Sequence, residues 1–189
     1  MIITVGGNAG SGKTTIGKQL AEKLGYKHYY MGGLRRARAA EMGLTIGEYN
    51  KLGETDPKTD FEVDDYQKEL GQKEDNFVIE GRTSYFLIPN SVKIFLDANE
   101  QIAAERIFKE TRQANQRNEG QPQTIADTLT QIQERKQSDS MRYQKYYNVN
   151  VFDPSQYDFV LDTSNLTANE AFNQVYTYIS QKLANIDKK

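Results

Sequence analysis

Hydrophobic residues along this chain follow two alternating patterns. Short runs rich in β-branched and aromatic residues lie at 2–5, 26–30, 76–80, 92–97 and 159–162. Each run is typical of a strand. The longer stretches between them carry apolar residues at helical spacing, as Ile16, Leu20 and Leu24 do in the first. Strands that alternate with helices predict an α/β fold, with a five-stranded parallel sheet flanked by helices on both faces.

The polar segments predict how a single domain is organised. Thr45 and Thr167 each begin a Thr-x-x-Glu capping box, which indicates a helix start. Residues 33–75 contain helical stretches and no strand pattern, so we expect a helical insertion there. Residues 110–123 are rich in Gln, Asn and Arg and are typical of a mobile surface segment, or lid. The core is expected to comprise residues 1–32, 76–109 and 124–189.

A glycine-rich segment follows the first strand directly. Gly7, four intervening residues, and then Gly12, Lys13 and Thr14 give the spacing of a phosphate-binding loop. Its backbone N–H groups would form an anion nest at a helix N-terminus. Lys13 would bridge the β- and γ-phosphates, and the Thr14 hydroxyl would ligate Mg²⁺. The predicted site for a purine triphosphate comprises Gly7, Asn8, Ala9, Gly10, Ser11, Gly12, Lys13, Thr14 and Thr15.

Composition narrows the class of protein further. The chain has 189 residues, enough for a substantial core, and its net charge of −2 argues against a dedicated nucleic-acid or membrane binder. The absence of cysteine excludes disulfides and thiolate sites. His28, the only histidine, lies in a predicted strand, and we interpret it as structural. We expect a cytoplasmic, monomeric enzyme that uses neither nucleic acid nor a membrane as a partner.

Polar side chains follow the predicted strands, at the sheet edge where ligands bind in parallel α/β folds. Arg82 comes after such a strand and is expected to point into the ligand crevice, although a surface arginine is the alternative. Glu80 and Asp97 each end a strand. Either carboxylate could hold a water molecule on Mg²⁺, and the sequence does not choose between them.

A long predicted helix, at about 124–147, carries a second candidate site. Arg135, Asp139 and Arg142 are spaced by four and then three residues, which places them on one helix face. A solvated face with internal ion pairs is the alternative. Two guanidinium groups with a carboxylate between them could instead grip an anionic substrate and hydrogen-bond its neutral part.

Other arginines lie near the expected crevice and the mobile segment. Arg36 follows the second strand, and Arg106, Arg112 and Arg117 lie at or within the segment that could close over the phosphates. A hydroxyl-phosphorylating kinase benefits from a carboxylate base, whereas a phosphate acceptor is already an anion and calls for cationic groups. The arginines therefore favour transfer from ATP to a monophosphate.

The chain resembles the cytidylate kinases, especially their short archaeal-type branch. The matching positions are 7–15, Gly32 to Arg36, Asp56-Pro57, Asp60, Asp64, Glu80-Gly81-Arg82, 93–98, Arg135, Asp139, Arg142-Tyr143, Tyr157-Asp158 and Leu161 to Ser164. The resemblance covers most of the chain. It implies a P-loop nucleoside monophosphate kinase fold with a helical monophosphate-binding insertion and a mobile lid.

The resemblance also implies roles for individual residues. The acceptor site would comprise Arg36, Arg82, Arg135, Asp139 and Arg142, the first three on the phosphate. Arg106 and Arg112 would stabilise the transferring group together with Lys13. The chain departs from the family at Met31, where serine is frequent, and in a lid that is longer and richer in Gln and Asn.

The expected reaction is Mg²⁺-dependent transfer from ATP to CMP or dCMP, giving CDP or dCDP. One alternative is a kinase for another nucleoside monophosphate or for a small hydroxyl acceptor. A second is a nucleotide-binding switch, which would read guanine with Asn-Lys-x-Asp. The nearest sequence, Asn50-Lys51-Leu52-Gly53, lacks the aspartate.

Overall fold

The computed structural model describes residues 1–114 and 122–186. Its strands are β1 Ile2–Gly7, β2 Lys27–Tyr30, β3 Phe77–Glu80, β4 Val92–Asp97 and β5 Phe159–Asp162. They form one sheet in the order β2-β3-β1-β4-β5, and every neighbouring pair is parallel. The five-stranded parallel sheet predicted from the sequence is therefore confirmed.

Helices connect the strands and flank the sheet. They are α1 Lys13–Leu24, α2 Met31–Glu41, α3 Ile46–Gly53, α4 Lys58–Lys73, α5 Ser84–Leu87, α6 Glu100–Ala114, α7 Ile125–Tyr147 and α8 Ala168–Ile186. Helices α2 to α4 lie in the predicted insertion. The capping boxes at Thr45 and Thr167 are both formed, since each threonine and the glutamate three residues later exchange hydrogen bonds.

The central strands alternate their side chains between two apolar layers. Ile3, Val5 and Val78 pack on one face of the sheet with α1 and α8. Phe77 and Ile79 point to the opposite face and pack with α2 and α4. Because both faces are covered, the carboxyl ends of the strands are the accessible edge at which the loops converge.

Two features differ from the sequence analysis. Helix α5 was not predicted, because a four-residue segment is too short to show a helical period. Helix α6 runs to Ala114, so residues 110–114 of the predicted lid are helical. Arg117 lies outside the described residues. None of the helices in the described ranges is both long enough and apolar enough to span a membrane.

Candidate active site

The glycine-rich loop occupies residues 8–12, between the end of β1 and the start of α1. Gly7 has a φ of 127°, and a Cβ atom there would lie 1.9 Å from the carbonyl oxygen of Leu96, so only glycine fits. Gly12 has a φ of 85° immediately before the helix. The Lys13 ammonium group donates to the backbone carbonyl of Asn8, inside the loop. This strand–loop–helix geometry suits a polyphosphate.

Glu80 is buried at the end of β3, beside this loop, with 2% of its surface exposed. Its Oε2 accepts a hydrogen bond of 2.8 Å from Thr14 Oγ1, and its Oε1 lies 2.9 Å from His28 Nε2. His28, interpreted from the sequence as structural, has this carboxylate as a partner. Asp97 instead accepts a hydrogen bond from the Asn8 side chain. Of the two acids, Glu80 contacts the hydroxyl predicted to hold Mg²⁺.

A cavity of about 390 Å³ extends from the loop to helices α2, α4 and α7. Its cationic lining residues are Lys13, Lys18, Arg35, Arg36, Arg82, Arg106 and Arg135. The structure thus brings Arg36, Arg82 and Arg135, which are distant in sequence, into one cavity with Lys13. Such a cavity has positive groups both for a polyphosphate on the loop and for a second phosphate beside it.

Asp139 orients two of these arginines. Its Oδ2 accepts a hydrogen bond of 2.9 Å from Arg82 Nε, and Arg135 Nε lies 4.0 Å from the same oxygen. Arg82 also donates to the backbone carbonyl of Gly7, which ties it to the phosphate loop. Burial alone would raise the pKa of Asp139, but Arg142, Arg82 and Arg135 together lower it to about 2. The carboxylate is therefore ionised at neutral pH.

Arg142, predicted to contact the acceptor, lies beneath the cavity instead of lining it. Its side chain is fully buried, and it donates hydrogen bonds to Asp60 and Asp139. Arg35 NH1 binds the same Asp60 carboxylate at 2.7 Å. Burial alone would lower the pKa of Arg142, but Tyr143 and these carboxylates raise it. The structure therefore places Arg142 as a support for the cavity wall.

Helix α2 contributes one expected arginine and one that the sequence analysis missed. Arg36 donates to the backbone carbonyl of Gly32 at 3.1 Å, within the cavity lining. Arg35 also lines the cavity, and its NH2 donates to Asn50 Oδ1 at 3.0 Å. Its position next to Arg36 in the sequence was the available signal. Asn50, the first residue of the candidate guanine motif, is thus bound to a buried arginine.

The two candidate lid arginines differ in placement. Arg106 lines the cavity, and its guanidinium group donates to the backbone carbonyls of Gly10 and Thr163 at 3.3 and 2.8 Å. It therefore joins the phosphate loop to the segment after β5. Arg112 packs over the ring of Phe108, 4.8 Å from its centroid, and does not line the cavity. The predicted role of Arg112 on the transferring phosphate stays a prediction.

Further cavity residues received no role in the sequence analysis. Asp64, Gln67, Thr83 and Tyr143 all line the cavity, and each is buried. Asp64 matched the family pattern but had no recognisable partner in the sequence. Gln67 follows it by one helical turn, and this spacing was the only local signal that the two share a face.

The fold and the loop define the class of protein as a P-loop nucleotide-binding protein. The solved structure of shikimate kinase from Bacteroides thetaiotaomicron superposes with a TM-score of 0.63 at 16% identity, covering 95% of this chain and 98% of that one. A putative kinase from Chloroflexus aurantiacus superposes with a TM-score of 0.59 at 16% identity, covering 93% and 96%. At these identities the likeness concerns the fold alone.

Sequence comparison gives the family. The model of the cytidylate kinase-like family matches residues 2–165, and the chain belongs to this family. It is 34% identical over 184 residues to a cytidylate kinase of Methanocorpusculum labreanum, covering 97% of this chain and 98% of the relative. It is 39% identical over 173 residues to a cytidylate kinase of Pyrococcus furiosus, covering 91% and 84%. The resemblance seen in the sequence is confirmed.

Proposed function

We propose that this protein transfers the γ-phosphoryl group of ATP to the phosphate of CMP or dCMP, forming ADP and CDP or dCDP. The observation that carries the proposal is the single cavity in which Arg36, Arg82 and Arg135 lie together with Lys13 of the phosphate loop. The family membership and the named cytidylate kinases among the relatives support the same reaction. A kinase for another acceptor is not favoured by these observations.

The residues divide between donor and acceptor. The loop from Gly7 to Thr15 would bind the ATP phosphates through its backbone N–H groups, with Lys13 on the transferring group. Arg36, Arg82 and Arg135 would hold the acceptor phosphate, and the acceptor oxygen attacks the γ-phosphorus as the bond to ADP breaks. Asp139, with a pKa of about 2, is a weak base, which suits an acceptor that is already an anion.

Mg²⁺ fits the residues at the start of α1. When bound, it would neutralise the negative charge that develops as the phosphoryl group is transferred. The Thr14 hydroxyl would be its protein ligand, and Glu80, 2.8 Å from that hydroxyl, would accept from a metal-bound water. A threonine hydroxyl backed by a buried carboxylate is an oxygen donor set of the kind Mg²⁺ prefers.

Acceptor specificity is tested with a panel of monophosphates. ATP with Mg²⁺ and CMP, dCMP, UMP, AMP or GMP is assayed by coupled ADP release, and ³¹P NMR identifies the diphosphate formed. We expect the highest kcat/KM with CMP or dCMP. Activity with AMP or UMP and none with CMP would reject the proposed acceptor, and ATP hydrolysis without a new diphosphate would reject the transfer.

Acceptor binding is tested with a matched pair of variants on α2. Arg36→Ala removes a cavity arginine, and we expect the KM for CMP to rise by about tenfold or more, since a charged hydrogen bond is lost. Arg38→Ala is the control, because Arg38 is exposed on the same helix and pairs with Glu41. An unchanged KM in Arg36→Ala would place the acceptor phosphate elsewhere.

Four further expectations remain proposals. We propose that the protein is a monomer in the cytoplasm and binds neither nucleic acid nor membrane. Light scattering coupled to gel filtration measures the oligomeric state directly. A mass of twice 21.6 kDa would overturn the monomer.

A further inference from the structure

The cavity has a second wall that carries no arginine. It is formed by Met31, Val63, Asp64, Gln67, Thr83 and Tyr143. Met31, Val63 and Tyr143 present apolar surface, and each is at least nine-tenths buried. Asp64, Gln67 and Thr83 are the polar members of the wall, and they are buried to the same degree. Apolar surface beside a few fixed polar groups suits an aromatic ligand ring better than a phosphate.

Asp64 is surrounded by neutral hydrogen-bond donors. Its Oδ1 accepts from Gln67 Nε2 at 2.8 Å and from Thr83 Oγ1 at 2.6 Å, and its Oδ2 accepts from Tyr147 Oη at 2.6 Å. An ionised carboxylate has about four acceptor positions. Donors from the described residues use three of them, which leaves one acceptor position on a side chain that lines the cavity.

Two other buried carboxylates near the cavity have charged partners, unlike Asp64 within the described ranges. Asp60 forms ion pairs with Arg35 and Arg142. Asp139 forms ion pairs with Arg82, Arg135 and Arg142. Guanidinium groups therefore compensate the charge of both carboxylates. Among the described residues, Asp64 forms no ion pair of this kind. Burial raises the pKa of Asp64, partly offset by the hydrogen bonds from Thr83 and Tyr147. A ligand N–H group would stabilise the ionised form that burial disfavours.

We propose that Asp64 reads the base of the acceptor nucleotide by accepting a hydrogen bond from the exocyclic amino group of cytosine. The ring would pack against Val63, Met31 and Tyr143. Uracil carries a carbonyl oxygen at that ring position, and this oxygen would face the carboxylate and be repelled. The inference rests on the proposed function only in taking the acceptor to be a pyrimidine monophosphate with its phosphate on the arginines.

Gln67, Thr83 and Tyr147 are positioning residues in this arrangement. Gln67 is itself fixed, since its Oε1 accepts a hydrogen bond of 2.5 Å from Ser84 Oγ. Their donors hold both carboxylate oxygens, so the remaining acceptor position has a fixed direction. Preorganised groups of this kind discriminate strongly, because a wrong partner leaves a buried polar group unpaired.

The test is Asp64→Asn. This substitution changes the group offered to the base and preserves the hydrogen bonds with Gln67, Thr83 and Tyr147. An asparagine Oδ1 can accept from Gln67 and Thr83, while its Nδ2 donates to Tyr147 and presents a donor to the cavity. The ratio of kcat/KM for CMP to that for UMP is measured together with calorimetric binding of each monophosphate. We expect the ratio to fall by about tenfold or more, through weaker CMP and stronger UMP binding.

Two further variants serve as controls for this result. Asp65→Asn is the matched control, since Asp65 is exposed on the same helix and pairs with Lys68. It should leave the ratio unchanged. Tyr147→Phe removes one donor but leaves a carboxylate facing the cavity, so its preference for CMP should persist even if the KM rises.

The outcomes separate the inference from the proposed function. A folded Asp64→Asn variant with an unchanged ratio overturns the role of Asp64. An equal loss of kcat with every acceptor and unchanged binding also overturns it, because Asp64 would then act on the reacting groups. If the wild type binds CMP through Asp64 yet forms no CDP, the proposed reaction fails and the base contact stands.

Discussion

Replacing Arg142 with methionine tests whether this arginine supports the site or touches the substrate. Its guanidinium group is fully buried and binds both Asp60 and Asp139. Methionine is similar in length and fills much of the same volume, so the change removes the charge without opening a large cavity. Two buried carboxylates then lose a shared partner.

The remaining contacts set the size of the effect. Removing one partner of a buried ion pair costs about 3–5 kcal/mol, since a charge is left uncompensated. Here Asp60 keeps Arg35 at 2.7 Å, and Asp139 keeps Arg82 at 2.9 Å. We therefore expect the lower end, about 3 kcal/mol. For a domain of this length, that is a fall in Tm of about 6–12 °C.

Urea and thermal unfolding followed by circular dichroism measure this loss. Arg38→Met is the control, because Arg38 forms an exposed pair with Glu41 and such pairs contribute about 0–1 kcal/mol. The KM for CMP is measured on folded Arg142→Met at a temperature well below its Tm. We expect it to rise as well, because the loosened Asp139 no longer fixes Arg82.

A stability loss below about 1 kcal/mol would contradict the supporting role of Arg142, because a fully buried charge at the centre of the network must cost more. If stability is unchanged while the KM for CMP rises strongly, Arg142 contacts the acceptor directly, as the sequence analysis expected. The two measurements thus distinguish a supporting arginine from a binding one.

The remaining predictions concern the loop, acid stability and the metal. Lys13→Ala should abolish most turnover and leave the unfolding curve unchanged, because Lys13 acts mainly on transferring phosphates; a near-normal kcat would contradict this. Asp139 has a pKa of about 2 in the folded protein, below its ordinary value of 3.8. Its ionised form therefore contributes about 2 kcal/mol to the free energy of unfolding above pH 4, and this contribution is lost as the pH falls through 2. In urea unfolding, the free energy of unfolding should decrease less in Asp139→Asn than in the wild type as the pH is lowered. Glu80→Gln should raise the Mg²⁺ concentration needed for Mg²⁺-dependent ATP binding, measured by calorimetry, and an unchanged value would exclude Glu80 from the metal site.

The sheet and the phosphate loop could be predicted because their signals are local. Each strand is a short run bounded by polar residues, and the loop has a fixed spacing beside a strand and a helix. Strand ends also fall at one edge of a parallel sheet, so the approximate place of Arg82 and Glu80 followed from topology. These inferences need no knowledge of which side chains touch.

The pairing inside the site could not be predicted in this way. Arg142 and Asp60 are 82 positions apart, and Arg82 and Asp139 are 57 apart. Helical spacing placed Arg135, Asp139 and Arg142 on one face but could not say which of them is buried. The same limit applies to Asp64, whose partners Thr83 and Tyr147 lie on other elements.

The buried carboxylates also explain how so many arginines share one cavity. Guanidinium groups at close range repel each other, and burial would make that repulsion costly. Asp60 offsets it between Arg35 and Arg142, and Asp139 offsets it between Arg82 and Arg142. Five arginines and two lysines line the cavity against four carboxylates, so positive charge remains for an incoming phosphate. The network therefore fixes the positions of the phosphate-binding groups before the acceptor arrives, and this preorganisation reduces the cost of ordering them on binding.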